Sequence, residues 1–237
     1  MRIAGFILSM ALSLPAWAFE PPRQMSVNGT ALAYVEAGNG PPVVLVHGAL
    51  GDYRTWTGQI DDFATKYHVI AYSLRNHYPN SQWTDGQPYS VQVHVADLLA
   101  LLQTLNLGPV HLVGHSYGGV MAVLVAKEHP ELVRTLALAE ASLGALVANN
   151  EEAKPGLAQV GATMKTAQSL VQDGQSEQAA IIFFDFVNAP GGGFNGMPEF
   201  FQNGIRQNAS TIRPMLTSPP HHRSLAMTRI LSLRQPC

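Results

Sequence analysis

The apolar positions of this chain follow two rhythms, and the change from one to the other falls near residue 145. Before it, short apolar runs alternate with longer segments of helical spacing. Val43 to Val46, His68 to Ser73, Val110 to Val113 and Thr135 to Ala139 read as buried strands, and Met25 to Ala37 reads as a hairpin. Ser90 suits the N-cap of a helix whose apolar face is Val91, Val95, Leu98, Leu99, Leu102 and Leu105, closed by Gly108-Pro109. Val120 to Glu128 is apolar nearly all round, which predicts a buried helix stopped by Pro130. The alternation predicts an α/β fold with a mostly parallel sheet flanked by helices.

Past Leu143 the rhythm stops. Residues 150 to 220 hold helix-like stretches at Leu157 to Asp173, Glu177 to Val187 and Pro198 to Gln207, broken by Gly191-Gly192-Gly193. This predicts an inserted helical cap, with the glycines as a hinge. The expected organisation is a core over 19–145, a cap over 146–222 and an incomplete return to the core over 223–237.

Candidate chemistry sits at the strand ends. The strand from Val110 runs into Gly114-His115-Ser116-Tyr117-Gly118, a G-x-S-x-G nucleophile elbow between a strand and a helix. The pattern suits a hydroxyl projected above a sheet edge on a strained turn. Gly114 and Gly118 give the backbone room that a Cβ would deny, and the helix N-terminus favours developing negative charge. The strand Val43 to Val46 likewise ends in His47-Gly48-Ala49-Leu50-Gly51. Loops at the ends of neighbouring parallel strands would put two backbone N–H groups, those of Ala49 and Tyr117, around one carbonyl oxygen.

Over about residues 25 to 145 these features, in this order, resemble the α/β-hydrolase superfamily, in particular its esterase, haloperoxidase-like and C–C hydrolase members with His-Gly and Gly-His-Ser-x-Gly-Gly. The resemblance implies a Ser nucleophile, followed along the chain by an acid and then a His. Some relatives, among them haloalkane dehalogenases, carry the acid at the end of the strand after the elbow, where this chain has Glu140. Asp173 and Asp185, in cap-like helices, are weaker candidates. The resemblance also argues against haloalkane and epoxide substrates, for which the fold uses Asp as nucleophile.

No base is evident. His129 lies a helix length, about 18 Å, beyond the elbow. His221 and His222 follow Pro219-Pro220 with no strand before them. Ser224 to Ile230 reads as the approach to a further strand, after which relatives continue to a His loop. The expectation is therefore a C-terminally truncated chain lacking its last strands. Thr135 to Ala139 would then be an apolar sheet edge open to self-association.

The remaining candidates have plainer roles. His47, Gly48, His115 and Trp56 are candidate substrate contacts, with His47 mainly shaping the oxyanion loop. Tyr53 and Trp83 are candidates for lining an apolar pocket, and His94 is expected on the surface. The nine histidines show no metal-ligand spacing, and no cofactor is expected.

Composition narrows the partners. With 46% hydrophobic and 13% charged residues, 237 residues suffice for one α/β domain. A net charge of −2 gives no pull toward nucleic acid or anionic membrane. Arg2, the apolar run Ile3 to Leu14 and Ala16-Trp17-Ala18 read as a signal peptide over 1–18, which implies export to the periplasm or beyond. No later stretch would span a membrane. The single Cys237 leaves no internal disulfide. The expectation is an exported serine hydrolase acting on small-molecule esters, lactones or similar acyl bonds, defective for want of its base. The alternative is an inactive hydrolase-like binding module or truncated pseudoenzyme.

Overall fold

The computed structural model describes residues 21–188 and 193–217. The signal-peptide segment, Gly191 and Gly192 of the expected hinge, His221, His222 and residues 223–237 lie outside the described residues.

Six strands form one sheet: β1 (Arg23–Val27), β2 (Thr30–Ala37), β3 (Pro42–Val46), β4 (His68–Tyr72), β5 (Val110–His115) and β6 (Val133–Ala139). Their spatial order is β1-β2-β4-β3-β5-β6. The hairpin β1–β2 joins antiparallel, and β4, β3, β5 and β6 run parallel. Three helices cover this sheet: α1 (Thr57–Ala64), α2 (Val91–Leu105) and α3 (Tyr117–Glu128).

Period-two alternation decides which residues each face buries. Val44, Val46, Ile70, Tyr72 and Leu112 join the apolar sides of α2 and α3 in one cluster. Val43, Leu45, Val69 and Ala71 point the other way, toward Ile60 of α1. At the start of α2, the Ser90 hydroxyl accepts the Val93 N–H at 3.2 Å, and Asn106 ends the helix in the left-handed region at φ 48°. α3 begins at Tyr117, three residues ahead of the apolar run that marks it in the sequence.

Beyond β6 stand four more helices: α4 (Lys154–Gln172), α5 (Ser176–Val187), α6 (Glu199–Asn208) and α7 (Ile212–Thr217). They share an apolar cluster of their own, built on Ala167, Val171, Ala179, Ile205 and Ile212. Leu50, from the loop after β3, inserts into it. No described helix is long and apolar enough to cross a membrane.

Among the described residues β6 pairs with β5 alone. Leu112 of β5 and its register partner Leu136 of β6 show the consequence. Leu112 is fully buried, whereas Leu136 is 38% and Leu138 42% exposed.

Candidate active site

The centre of the site is the junction of β5 and α3. Ser116 joins them with φ 50° and ψ −117°, a conformation costing a non-glycine residue about 1–3 kcal/mol. Three backbone hydrogen bonds hold it there. The Ser116 N–H donates to the Ala139 carbonyl at 2.9 Å, and the Ser116 carbonyl accepts from Ser142 at 3.1 Å and Gly119 at 3.0 Å. The end of β6 therefore braces the elbow directly.

The glycines around Ser116 are there for contact. A Cβ on Gly114 would lie 2.6 Å from the Gly119 Cα. One on Gly118 would run into the carbonyls of Val46 and His47. The N-terminus of α3 thus presses against the end of β3, and only glycine permits that approach.

The loop after β3 meets the elbow edge-on. A Cβ on Gly48 would stand 3.0 Å from both the Ser116 Cβ and the His115 Nδ1. The Gly48 backbone therefore lies directly against Ser116 and His115. The loop is fixed from below by two imidazoles. His47 donates from Nδ1 to the Gly48 carbonyl at 2.7 Å, and its Nε2 accepts the Leu74 N–H at 2.9 Å. His77 donates from Nδ1 to the Gly51 carbonyl at 2.7 Å, and its Nε2 lies 3.3 Å from the Tyr89 hydroxyl.

These two rings and His94 form a buried, uncharged stack. Ring centroids are 4.9 Å apart for His47 and His77 and 6.5 Å for His77 and His94. Burial drives His47 down to about 4 and His77 down to about 3, each further lowered by neighbouring imidazoles. Burial, then the neighbouring His77 ring and the Arg75 charge, put His94 well below its ordinary value. His94 is therefore not on the surface as the sequence suggests. It sits on the α2 stripe between Val91 and Leu98, edge-on to the rings of Tyr89 and Tyr117.

From above, the loop is tied to the cap. Asp52, 3% exposed, accepts the Arg54 backbone N–H and both the Nε and Nη2 of its guanidinium, at 2.7–2.9 Å. It also accepts the Asn208 side-chain amide of α6 at 2.8 Å. The other end of that amide takes the Tyr78 N–H at 2.7 Å. Burial alone would raise the Asp52 carboxyl, but Arg54 and Asn208 outweigh it and hold the group below its ordinary value.

A cleft of about 160 Å³ opens between this loop and the cap. Gly48, Ala49 and His115 line its floor, and Phe184, Met197, Phe200 and Phe201 its cap wall. Of the residues singled out in the sequence, Gly48, Ala49 and His115 face this space and Ser116 adjoins it. His47 is fully buried, with both ring nitrogens bonded locally, so it shapes the loop and does not face the cleft. Trp56 packs edge-on behind His115 at 6.5 Å instead of lining the cleft. Tyr53 and Trp83 lie elsewhere: Tyr53 bonds to Ser73, and the Trp83 ring packs against Arg213.

Glu140 follows β6 at φ 49° with its side chain exposed. Its charge reaches His115, partly offsetting the downward push of burial on that ring. The Ser116 Oγ lies 3.2 Å from the Ser142 Oγ, and no described histidine hydrogen-bonds it. His129 stands at the far end of α3, paired with Glu131. Asp173 ends α4, and Asp185 accepts the Phe194 N–H within the cap.

The aromatic wall and the Asp52–Asn208 tie go beyond what the sequence suggests. The wall has a legible signal, because Met197, Phe200, Phe201, Gly204 and Ile205 recur at helical spacing. The tie has none, since its partners stand 156 positions apart.

Known proteins share this architecture. A family model described as alpha/beta hydrolase fold matches residues 41–187. The chain is 38% identical over 116 residues to the (E)-2-((N-methylformamido)methylene)succinate hydrolase of Acinetobacter baylyi, across 48% of this chain and 43% of that protein. It is 33% identical over 142 residues to bifunctional epoxide hydrolase 2 of Sus scrofa, across 57% of this chain and 26% of that protein. The chain thus spans less than half the length of these curated relatives. The crystal structure of DBJA aligns with a TM-score of 0.67 over 89% of this chain and 76% of that one; at 20% identity, this likeness shows the fold alone.

The imidazole stack has a measurable consequence. Unfolded, these rings titrate near 6.5, above their folded values, so below about pH 6.5 the unfolded chain takes up protons that the folded chain refuses. Stability should fall with pH from there, down to about 4 for His47 and about 3 for His77. Each ring contributes at most about 1.4 kcal/mol per pH unit. Urea unfolding at pH 7.5, 6 and 5 should show this slope. His94→Phe should make it shallower without orphaning a partner, because neither His94 nitrogen is hydrogen-bonded among the described residues. A flat profile over that range would contradict the stack's neutrality.

Proposed function

Because the chain belongs to the alpha/beta hydrolase fold family, we propose that Ser116 is the nucleophile of an acyl hydrolase acting on small esters, lactones or similar acyl bonds. The observation that carries this reading is the strained Ser116 backbone beside the Gly48–Ala49 loop. In the proposed reaction the Ser116 Oγ adds to the substrate carbonyl carbon and its proton passes to a base. The Ala49 and Tyr117 N–H groups hold the resulting oxyanion. Collapse expels the protonated alcohol and leaves an acyl-serine, which water hydrolyses to the acid. Glu140 would orient a histidine base. The serine at the elbow centre separates this reading from epoxide opening, for which the resemblance implies Asp.

In this reading Ser116, Ala49 and Tyr117 would be the nucleophile and oxyanion half of the machinery. Among the described residues Ser142, and no imidazole, stands beside the Ser116 hydroxyl. That contact favours a second reading, in which this chain binds acyl compounds with little turnover. Without a base, the oxyanion hole and binding leave only about 10³–10⁴-fold over water. The full chain should therefore show at most trace hydrolysis of p-nitrophenyl acetate, changed less than about tenfold by Ser116→Ala because the residual does not pass through the serine. Robust turnover abolished by His222→Ala, and by no other histidine change, would show a working base and overturn the defective reading.

We further propose that the β6 edge pairs with β6 of a second copy. Val-Arg-Thr-Leu-Ala-Leu-Ala carries one charge, is mostly exposed and pairs on one side only among the described residues. An antiparallel two-fold pairing would cover Leu136 and Leu138 in both copies. Light scattering should find dimers or larger species that Leu136→Lys shifts toward monomer. A monodisperse monomer for the unaltered chain would rule this out.

A further inference from the structure

Resting on the reading of Ser116 as an acyl nucleophile, we propose that the cleft beside Ala49 is the acyl pocket and takes a neutral apolar group of about six carbons, aromatic or short-chain. Its size sets the first limit. The space is about 160 Å³, and an apolar cavity of about 150 Å³ admits benzene. Its walls set the second. Phe184, Met197, Phe200, Phe201 and Ile205 present apolar surface opposite the Gly48–Ala49 floor.

Charge sets the third limit. Asp52 and Arg54 are the carboxylate and guanidinium of the lining, and they neutralise one another; burial holds the third titratable group, His115, below its ordinary value. The Arg54 Nε and Nη2 are committed to Asp52, and Nη2 also donates to the Gln207 Oε1 at 2.7 Å. The guanidinium lies 3.9 Å from the Tyr78 ring centroid. Only the Nη1 hydrogens of Arg54 carry no bond among the described residues, so a substrate carboxylate would meet a guanidinium already neutralised by Asp52, and could take its bidentate face only by breaking a pair that also carries the Asn208 tie to the cap. A neutral acyl group disturbs none of these bonds.

Gly204 keeps the pocket open. It shares the cleft-lining stripe of α6, and a Cβ there meets nothing within 4 Å. A larger side chain at this position fills the space without straining the helix, and alanine or leucine favours helix over glycine.

Ligand-observed NMR titrations of the full chain and of Ser116→Ala test the proposal without relying on turnover. Methyl benzoate should bind both within about twofold, and at least tenfold more tightly than monomethyl succinate. Along methyl butanoate to methyl decanoate, affinity should rise by up to about fourfold per methylene to six acyl carbons, then level off. Gly204→Leu should weaken methyl benzoate at least tenfold, while Gly204→Ala, with the same gain in helix preference, should retain most of the binding. Equal or tighter binding of monomethyl succinate, a steady rise to decanoate, or indifference to Gly204→Leu would overturn it. If binding behaves as expected but no reagent modifies Ser116, the nucleophile reading fails and the pocket stands.

Discussion

A serine at φ 50° is a conformation the chain adopts only under compulsion, and the architecture around it is the compulsion. β5 delivers the chain to Ser116 and α3 carries it away at once, leaving no residues in which to relax the turn. The Ala139 carbonyl at the end of β6 takes the Ser116 N–H, and Ser142 returns to its carbonyl. Gly114 and Gly118 remove the Cβ atoms that would push α3 off β3 and β5. The strain costs about 1–3 kcal/mol and holds the hydroxyl at the sheet edge, against the loop after β3.

That loop is held from two directions by different physics. Below it, neutral imidazoles use their hydrogen bonds on the Gly48 and Gly51 carbonyls and the Leu74 N–H, so loop position depends on rings that burial keeps uncharged. Above it, Leu50 inserts into the apolar cluster of the cap and Asp52 bonds Asn208 on α6. The cap consequently holds the loop beside Ser116 and forms a wall of the cleft at once. A shift of α6 would be felt at Ala49 through two residues of the same short loop.

The sheet and its helices were legible because burial there is periodic. Alternating residues of β3 and β4 face α1 or α2 and α3, and apolar runs in the sequence mark each strand. Ser90 announced α2 through a local hydrogen bond to Val93. The elbow was legible for the same reason: its glycines and serine are contiguous, and their contacts are set by one turn. His94 was misread because a polar residue on a mixed stripe suggests solvent, while the rings that bury it come from Tyr89 and Tyr117, outside its own helix. His47 and Trp56 were placed near substrate by proximity in sequence to the loop, yet their side chains turn inward. The cap wall, the neutralised Arg54 and the Asn208 tie depend on distant pairings that no local pattern records.

What sets Ser116 apart from every other described serine is its positive-φ backbone beside the Gly48–Ala49 loop. Peptide mapping after exposure of the folded chain to a fluorophosphonate tests this most directly. The expected result is slow modification confined to Ser116, absent from Ser116→Ala and lost when the chain is unfolded in urea before exposure. Modification spread over several serines, or equally fast in the unfolded chain, would contradict it.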